Sequence, residues 1–204
     1  MLQTAFCTLG AVAFAASLGL FKAAFQPNFY VWFTNLSNYF CIGVMLAEMV
    51  QTARKKEDSY TSAVPMLKFI GLLMILLTFV VYNVMLAKSR SLEENLTVSS
   101  IMLHIVLPLM YTADWVLFYE RRTVKWTWPL FSAIIPLLYV AFIFIRAFIL
   151  KEQGDIIYPY FFLDPHSVGT GGVVMWVALL LSAFVVSGYL FMLFDRLVHK
   201  KVHS

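Results

Sequence analysis

A threonine, a histidine and a few amide and hydroxyl side chains interrupt the long apolar runs of this chain, and together they are of the types that cleave esters. Thr34, Ser37, Asn38 and Cys41 recur at i, i+3, i+4 and i+7, which sets them on one face of a helix. His104 stands in another apolar run, with Thr97, Ser100, Pro108 and Tyr111 sharing its face. A polar group inside a membrane span is costly unless it faces protein or water, so these residues carry the information. A threonine hydroxyl becomes a nucleophile when a base takes its proton, and an imidazole does this near neutral pH. Ser37 and Asn38 bear side-chain donors of the kind that stabilise an oxyanion. Plainer readings stand beside these. Small and hydroxyl residues glue helices together or bond back to their own i−4 carbonyl, and a buried histidine can simply bond a neighbouring helix. Pro108 lies four residues after His104 and has no N–H for the His104 carbonyl, which predicts a kink there.

Further along, Arg146 shares a face with Tyr139, seven residues earlier. It either snorkels to the headgroups or pairs with a substrate carboxylate or an acidic loop residue. Tyr158-Pro-Tyr160-Phe-Phe-Leu-Asp164 reads as an aromatic belt at headgroup level, with Asp164 as a helix cap or an orienting partner. Asp114-Trp115 reads as an interface feature near the end of its run, and Glu48 lies near the end of its own. The two cysteines, Cys7 and Cys41, form no CxxC or Cys/His spacing, so neither a disulfide framework nor a structural zinc is expected, and ester cleavage by an alcohol and an imidazole implies no metal or organic cofactor.

The elements that must hold these residues follow from composition. Of 204 residues, 61% are hydrophobic and 13% charged. A soluble domain averages roughly half apolar and about a quarter charged. The excess apolar surface needs lipid as its solvent. Six apolar runs stand out, at about 2–25, 33–50, 65–87, 97–119, 129–150 and 171–195, and a span needs about 20 residues. The expectation is all-α: a single six-span transmembrane domain over residues 1–204. The first run lacks a basic start and is read as a span rather than a signal peptide. The formal charge of +4 points to lipid headgroups rather than nucleic acid, because the basic residues sit at run ends. With both termini cytoplasmic, ten basic residues, Lys68 among them, lie inside and five outside, as the positive-inside rule favours. Thr34, His104, Arg146 and 158–164 then all fall in the outer leaflet. The Asn95-Leu96-Thr97 sequon abuts the membrane and is read as accidental.

Phe33-Thr34-x-x-Ser37-Asn38, Leu103-His104-x-x-x-Pro108 with Asp114-Trp115, and Tyr158-Pro-Tyr160-Phe-Phe-Leu-Asp164 resemble, in order and over nearly the whole chain, the Pr6Pr family of bacterial membrane proteins. That family is similar, more distantly, to the eukaryotic androgen-induced (FAR-17a/AIG-like) membrane proteins, six-span threonine hydrolases of fatty acid esters of hydroxy fatty acids. The resemblance implies Thr34 as nucleophile, His104 as base, a membrane lipid or fatty acyl ester as substrate, and a bacterial inner membrane as location. The expected function is therefore an intramembrane lipid ester hydrolase. Its rivals are a small-molecule or ion transporter, against which the runs show no inverted repeat, and a non-catalytic lipid-binding protein.

Overall fold

A computed structural model describes residues 2–22, 25–54, 62–150 and 158–198. Lys55, Lys56, Lys151, Lys200 and Lys201, which entered the charge count, lie outside the described residues, as does the first part of the loop expected before Tyr158. Every regular element among the described residues is helical. The chain packs into two compact units, Met1–Val124 and Lys125–Ser204.

The first unit holds α1 (Leu2–Ser17), α2 (Phe33–Arg54), α3 (Pro65–Ser89) and α4 (Val98–Phe118). The second holds α5 (Trp128–Leu150) and α6 (Pro165–Val198). Four of these, α3 to α6, are long and apolar enough to cross a membrane. The other two differ from the expected spans for physical reasons. Helix α1 stops at Ser17, well before residue 25, because Gly19 takes φ 78° and ends the helix in a left-handed turn. Helix α2 has 22 residues, but Asn35, Ser37, Asn38 and Glu48 lower its apolarity. All four are buried, so its polar face turns into the unit and its charge finds a partner there.

Two helices widen in mid-course. Helix α3 is α-helical over Pro65–Val81, π-helical over Tyr82–Leu86 and ends in a 3₁₀ turn at Ala87–Ser89. Helix α4 is α-helical over Val98–Ile101, π-helical over Met102–Val106 and α-helical again over Leu107–Phe118. The kink expected at Pro108 takes this form. A wide turn just ahead of the proline relieves the clash between its ring and the preceding turn. Single π turns of this kind often mark functional positions.

The core of the first unit is built from Phe6, Phe69, Leu72, Leu73, Ile75, Leu107, Tyr111 and Trp115. Gly71 lets α4 approach α3 closely: a Cβ placed on it would stand 2.5 Å from the Tyr111 hydroxyl and 3.2 Å from Cys41 Sγ. Gly71→Ala should therefore cost about 1–3 kcal/mol through overpacking, read as a lowered midpoint of unfolding in detergent. A midpoint equal to wild type would show that the helices can part there freely.

In the second unit the 158–164 segment packs inward as a clasp on α5 and α6. Tyr160, Phe162 and Leu163 are buried. Tyr160 stacks on Phe162 at 5.0 Å and meets Tyr139 of α5 at 6.5 Å, while Phe161 and Phe162 meet Trp176 of α6 at 6.0 and 6.2 Å. Tyr158 packs on Phe144 at 5.8 Å. Outward faces of α5 and α6 carry exposed Leu138, Phe148, Ile149 and Leu190, as lipid-facing helices do.

Candidate functional site

Two polar clusters lie inside the first unit. One gathers the residues whose types suggest ester chemistry. On α2, Thr34, Ser37, Asn38 and Cys41 are all buried, as one helix face should be. The Asn38 amide nitrogen donates both its hydrogens to carbonyls, to Thr34 O at 2.8 Å and to Leu103 O at 3.1 Å. One side chain thus ties the first turns of α2 to the π turn that carries His104. The two accepting oxygens are within about 6 Å of each other. Asn35 pins the same end of α2 to the preceding turn through Phe29 O at 2.8 Å.

His104 is held on several sides. Its Nδ1 lies 2.9 Å from Ser100 O. A carbonyl can only accept, so Nδ1 carries the hydrogen and Nε2 keeps its lone pair. The ring of Tyr82 stacks on the imidazole at 3.4 Å and 9°. The His104 carbonyl, deprived of a partner by Pro108, is taken by Asn83 Nδ2 at 3.3 Å. The two π turns of α3 and α4 therefore meet at His104. Among the described residues, no hydrogen bond reaches His104 Nε2 or the Thr34 hydroxyl, and none joins the two. Each residue is 9% exposed, so neither is sealed completely.

The expected oxyanion donors are a correction. Both Asn38 hydrogens are spent on carbonyls. The single Ser37 hydrogen goes to Thr34 O at 3.0 Å, which leaves Ser37 to accept from Thr78 Oγ1 at 2.8 Å. These side chains position α2 and have no donor left for a ligand. Tyr111, expected on the His104 face, instead donates to Lys68 O at 3.1 Å. The π turn adds a residue to the α4 spiral, so the face predicted from α-helical spacing does not continue past His104.

The second cluster was not anticipated. Lys68, counted as an inner surface charge, is fully buried. Its Nζ lies 2.6 Å from Asp114 Oδ2 and 3.5 Å from Glu48 Oε2. Glu48 Oε1 accepts from Ser62 Oγ at 2.7 Å and Ala63 N at 2.9 Å, at the start of α3, where the helix dipole favours an anion. Asp114 is thus an interior ion-pair partner rather than an interface feature. The sequence carried only a hint: an ionisable residue four positions into an apolar run either snorkels to the surface or finds a partner inside. Beyond this cluster, Arg121 lies over the Trp115 ring at 5.2 Å and its Nη2 donates to Val116 O, which neutralises the C-terminal end of α4.

Arg146, Tyr158 and Asp164 belong to the second unit. Asp164 accepts from His166 N at 2.9 Å and Ser167 Oγ at 2.7 Å, capping the start of α6. The Ser167 hydrogen bond holds its carboxyl below the usual carboxylate range. Among the described residues no cluster of metal-ligating side chains occurs.

Fold and clusters define a helical membrane protein with a buried alcohol, imidazole and ion-pair interior in its first unit. Comparison of the chain with protein-family models, with curated proteins and with solved structures returns no match.

Proposed function

We propose that this chain is an intramembrane hydrolase of lipid esters, with Thr34 as nucleophile and His104 as base. One observation supports it above the others: the Asn38 amide bridges the Thr34 turn to the His104 turn, while the anchored Nδ1 leaves Nε2 as a free base. Nε2 takes the Thr34 hydroxyl proton, and Oγ1 attacks the ester carbonyl carbon. The alcohol leaves with that proton, and water then releases the acyl group from Thr34 by the same route. Thr34 lies in the first turn of α2, so the positive end of the helix favours the developing oxyanion. The more distant similarity to the eukaryotic androgen-induced membrane proteins adds the substrate class, fatty acid esters of hydroxy fatty acids.

In this reading six helices span a bacterial inner membrane, with both termini cytoplasmic and the site towards the outer leaflet. Helix α2 measures about 33 Å, enough to cross, and its charged Glu48 is paired. Removing buried Lys68 from the topology count still leaves nine basic residues against five.

The test is turnover of a long-chain acyl ester by the purified protein in proteoliposomes. Thr34→Ala should abolish it, and His104→Ala should lower kcat by about 10²–10⁴-fold, with unfolding midpoints kept. Equal turnover in either folded variant removes the mechanism. The buried Glu48–Lys68–Asp114 cluster favours one rival, an ion-coupled carrier. That reading requires solute flux in the same vesicles, lost on replacing Lys68, and the hydrolase reading requires none.

A further inference from the structure

Three side chains, Ser100, Tyr82 and Asn95, lead away from His104 in a chain whose hydrogen directions are all determined. Asn95 Nδ2 donates to Ala87 O at 2.8 Å, which turns its Oδ1 towards Tyr82. The Tyr82 phenol donates to that Oδ1 at 2.6 Å. Its only proton is then spent, so Ser100 Oγ, 2.6 Å from the phenol oxygen, must donate to it. Ser100 has in turn spent its proton. Towards His104 Nδ1, at 3.4 Å, its hydroxyl oxygen can only accept. The Ser100 carbonyl at 2.9 Å makes the same demand. Each link runs one way, from Nδ1–H through Ser100 and Tyr82 to Asn95, and the last amide is tied to a backbone carbonyl. Such aligned bonds polarise one another in a low-dielectric interior. The stacked Tyr82 ring, 3.4 Å from the imidazole, also fixes the plane in which the ring lies.

We propose that Tyr82 is a positioning residue that, together with the Ser100 carbonyl, holds His104 in the Nδ1–H tautomer, adding through a phenol, a serine and Asn95 to what a carboxylate does in a serine hydrolase triad. For catalysis the inference rests on the hydrolase reading; for the tautomer it does not. The sequence offers Tyr82 as only one more aromatic at the end of an apolar run. The π turn at Tyr82–Leu86 brings it against the matching turn of α4. Asn95 is consumed by the chain, so its sequon is not an acceptor for a glycan while the fold stands.

The experiment is ¹⁵N NMR of histidine-labelled protein in nanodiscs, at a pH where imidazole is neutral. The His104 signals are assigned by their loss in His104→Gln. Wild type should show the Nδ1–H form almost alone. Tyr82→Phe keeps the ring but lets the Ser100 hydroxyl turn and donate to Nδ1; the Ser100 carbonyl still accepts there, so the Nε2–H form should rise to a detectable minority. Asn95→Leu leaves the stack untouched and frees the phenol to reverse the chain, so it should move the tautomer the same way. In turnover, kcat should fall about tenfold or more, with KM unchanged. An unchanged Nδ1–H population in whichever of the two variants folds overturns the proposal. A shifted tautomer in a protein whose wild type cleaves no ester upholds the positioning role and removes the hydrolase.

Discussion

Replacing Lys68 with Met should cost about 3–5 kcal/mol of stability, because it strands two buried carboxylates without their cation. The three side chains have 0–1% exposure, and Lys68 lies between Asp114 at 2.6 Å and Glu48 at 3.5 Å. Glu48 keeps Ser62 and backbone donors when the lysine is gone. Asp114 retains no such set, so the penalty falls mainly there. The double variant Lys68→Met/Asp114→Leu removes both ends of the shorter pair and should recover most of the loss, since well-packed apolar replacements of a buried pair are often neutral. Unfolding midpoints in detergent measure both. A Lys68→Met protein as stable as wild type, or a double variant less stable than the single, would show that the pair is not sealed as described.

The second large effect falls on Asn38. Asn38→Asp swaps a double donor for an acceptor that faces two carbonyls, with no exposure to water. It should cost about 3 kcal/mol or more. Asn38→Leu keeps the volume and leaves the Leu103 carbonyl without its side-chain donor, while Thr34 O keeps Ser37. Its cost should be smaller, about 1–3 kcal/mol. Both variants should also lose ester turnover in the part that remains folded, because the Thr34 and His104 turns are no longer tied. The order Asp worse than Leu is the diagnostic. The reverse order would mean that the amide stands the other way round, with its oxygen towards the carbonyls, which no hydrogen bond supports.

Much of the first cluster was legible in the sequence because it depends on helical spacing alone. The i, i+3, i+4, i+7 pattern put Thr34, Ser37, Asn38 and Cys41 on one face, and that face is buried. Pro108 marked the free His104 carbonyl, though not Asn83, which fills it from another helix. What failed was local geometry that departs from 3.6 residues per turn. The π turns rotate Tyr111 away from His104 and bring Tyr82 onto it, and no periodicity forecasts an inserted residue. The long-range ion pair failed differently. Glu48, Lys68 and Asp114 are 20 and 46 residues apart along the chain, and each taken singly resembles a charge at a membrane surface. Their depth in the unit becomes visible only once α2, α3 and α4 pack.

The most direct test is to trap the nucleophile as a phosphonyl adduct. A lipid-like fluorophosphonate is added to the protein in nanodiscs, and the modified peptide is mapped by mass spectrometry. The adduct should lie on Thr34 and disappear in His104→Ala. An adduct on another residue, or undiminished labelling of Thr34 without the imidazole, would contradict a threonine nucleophile activated by that histidine.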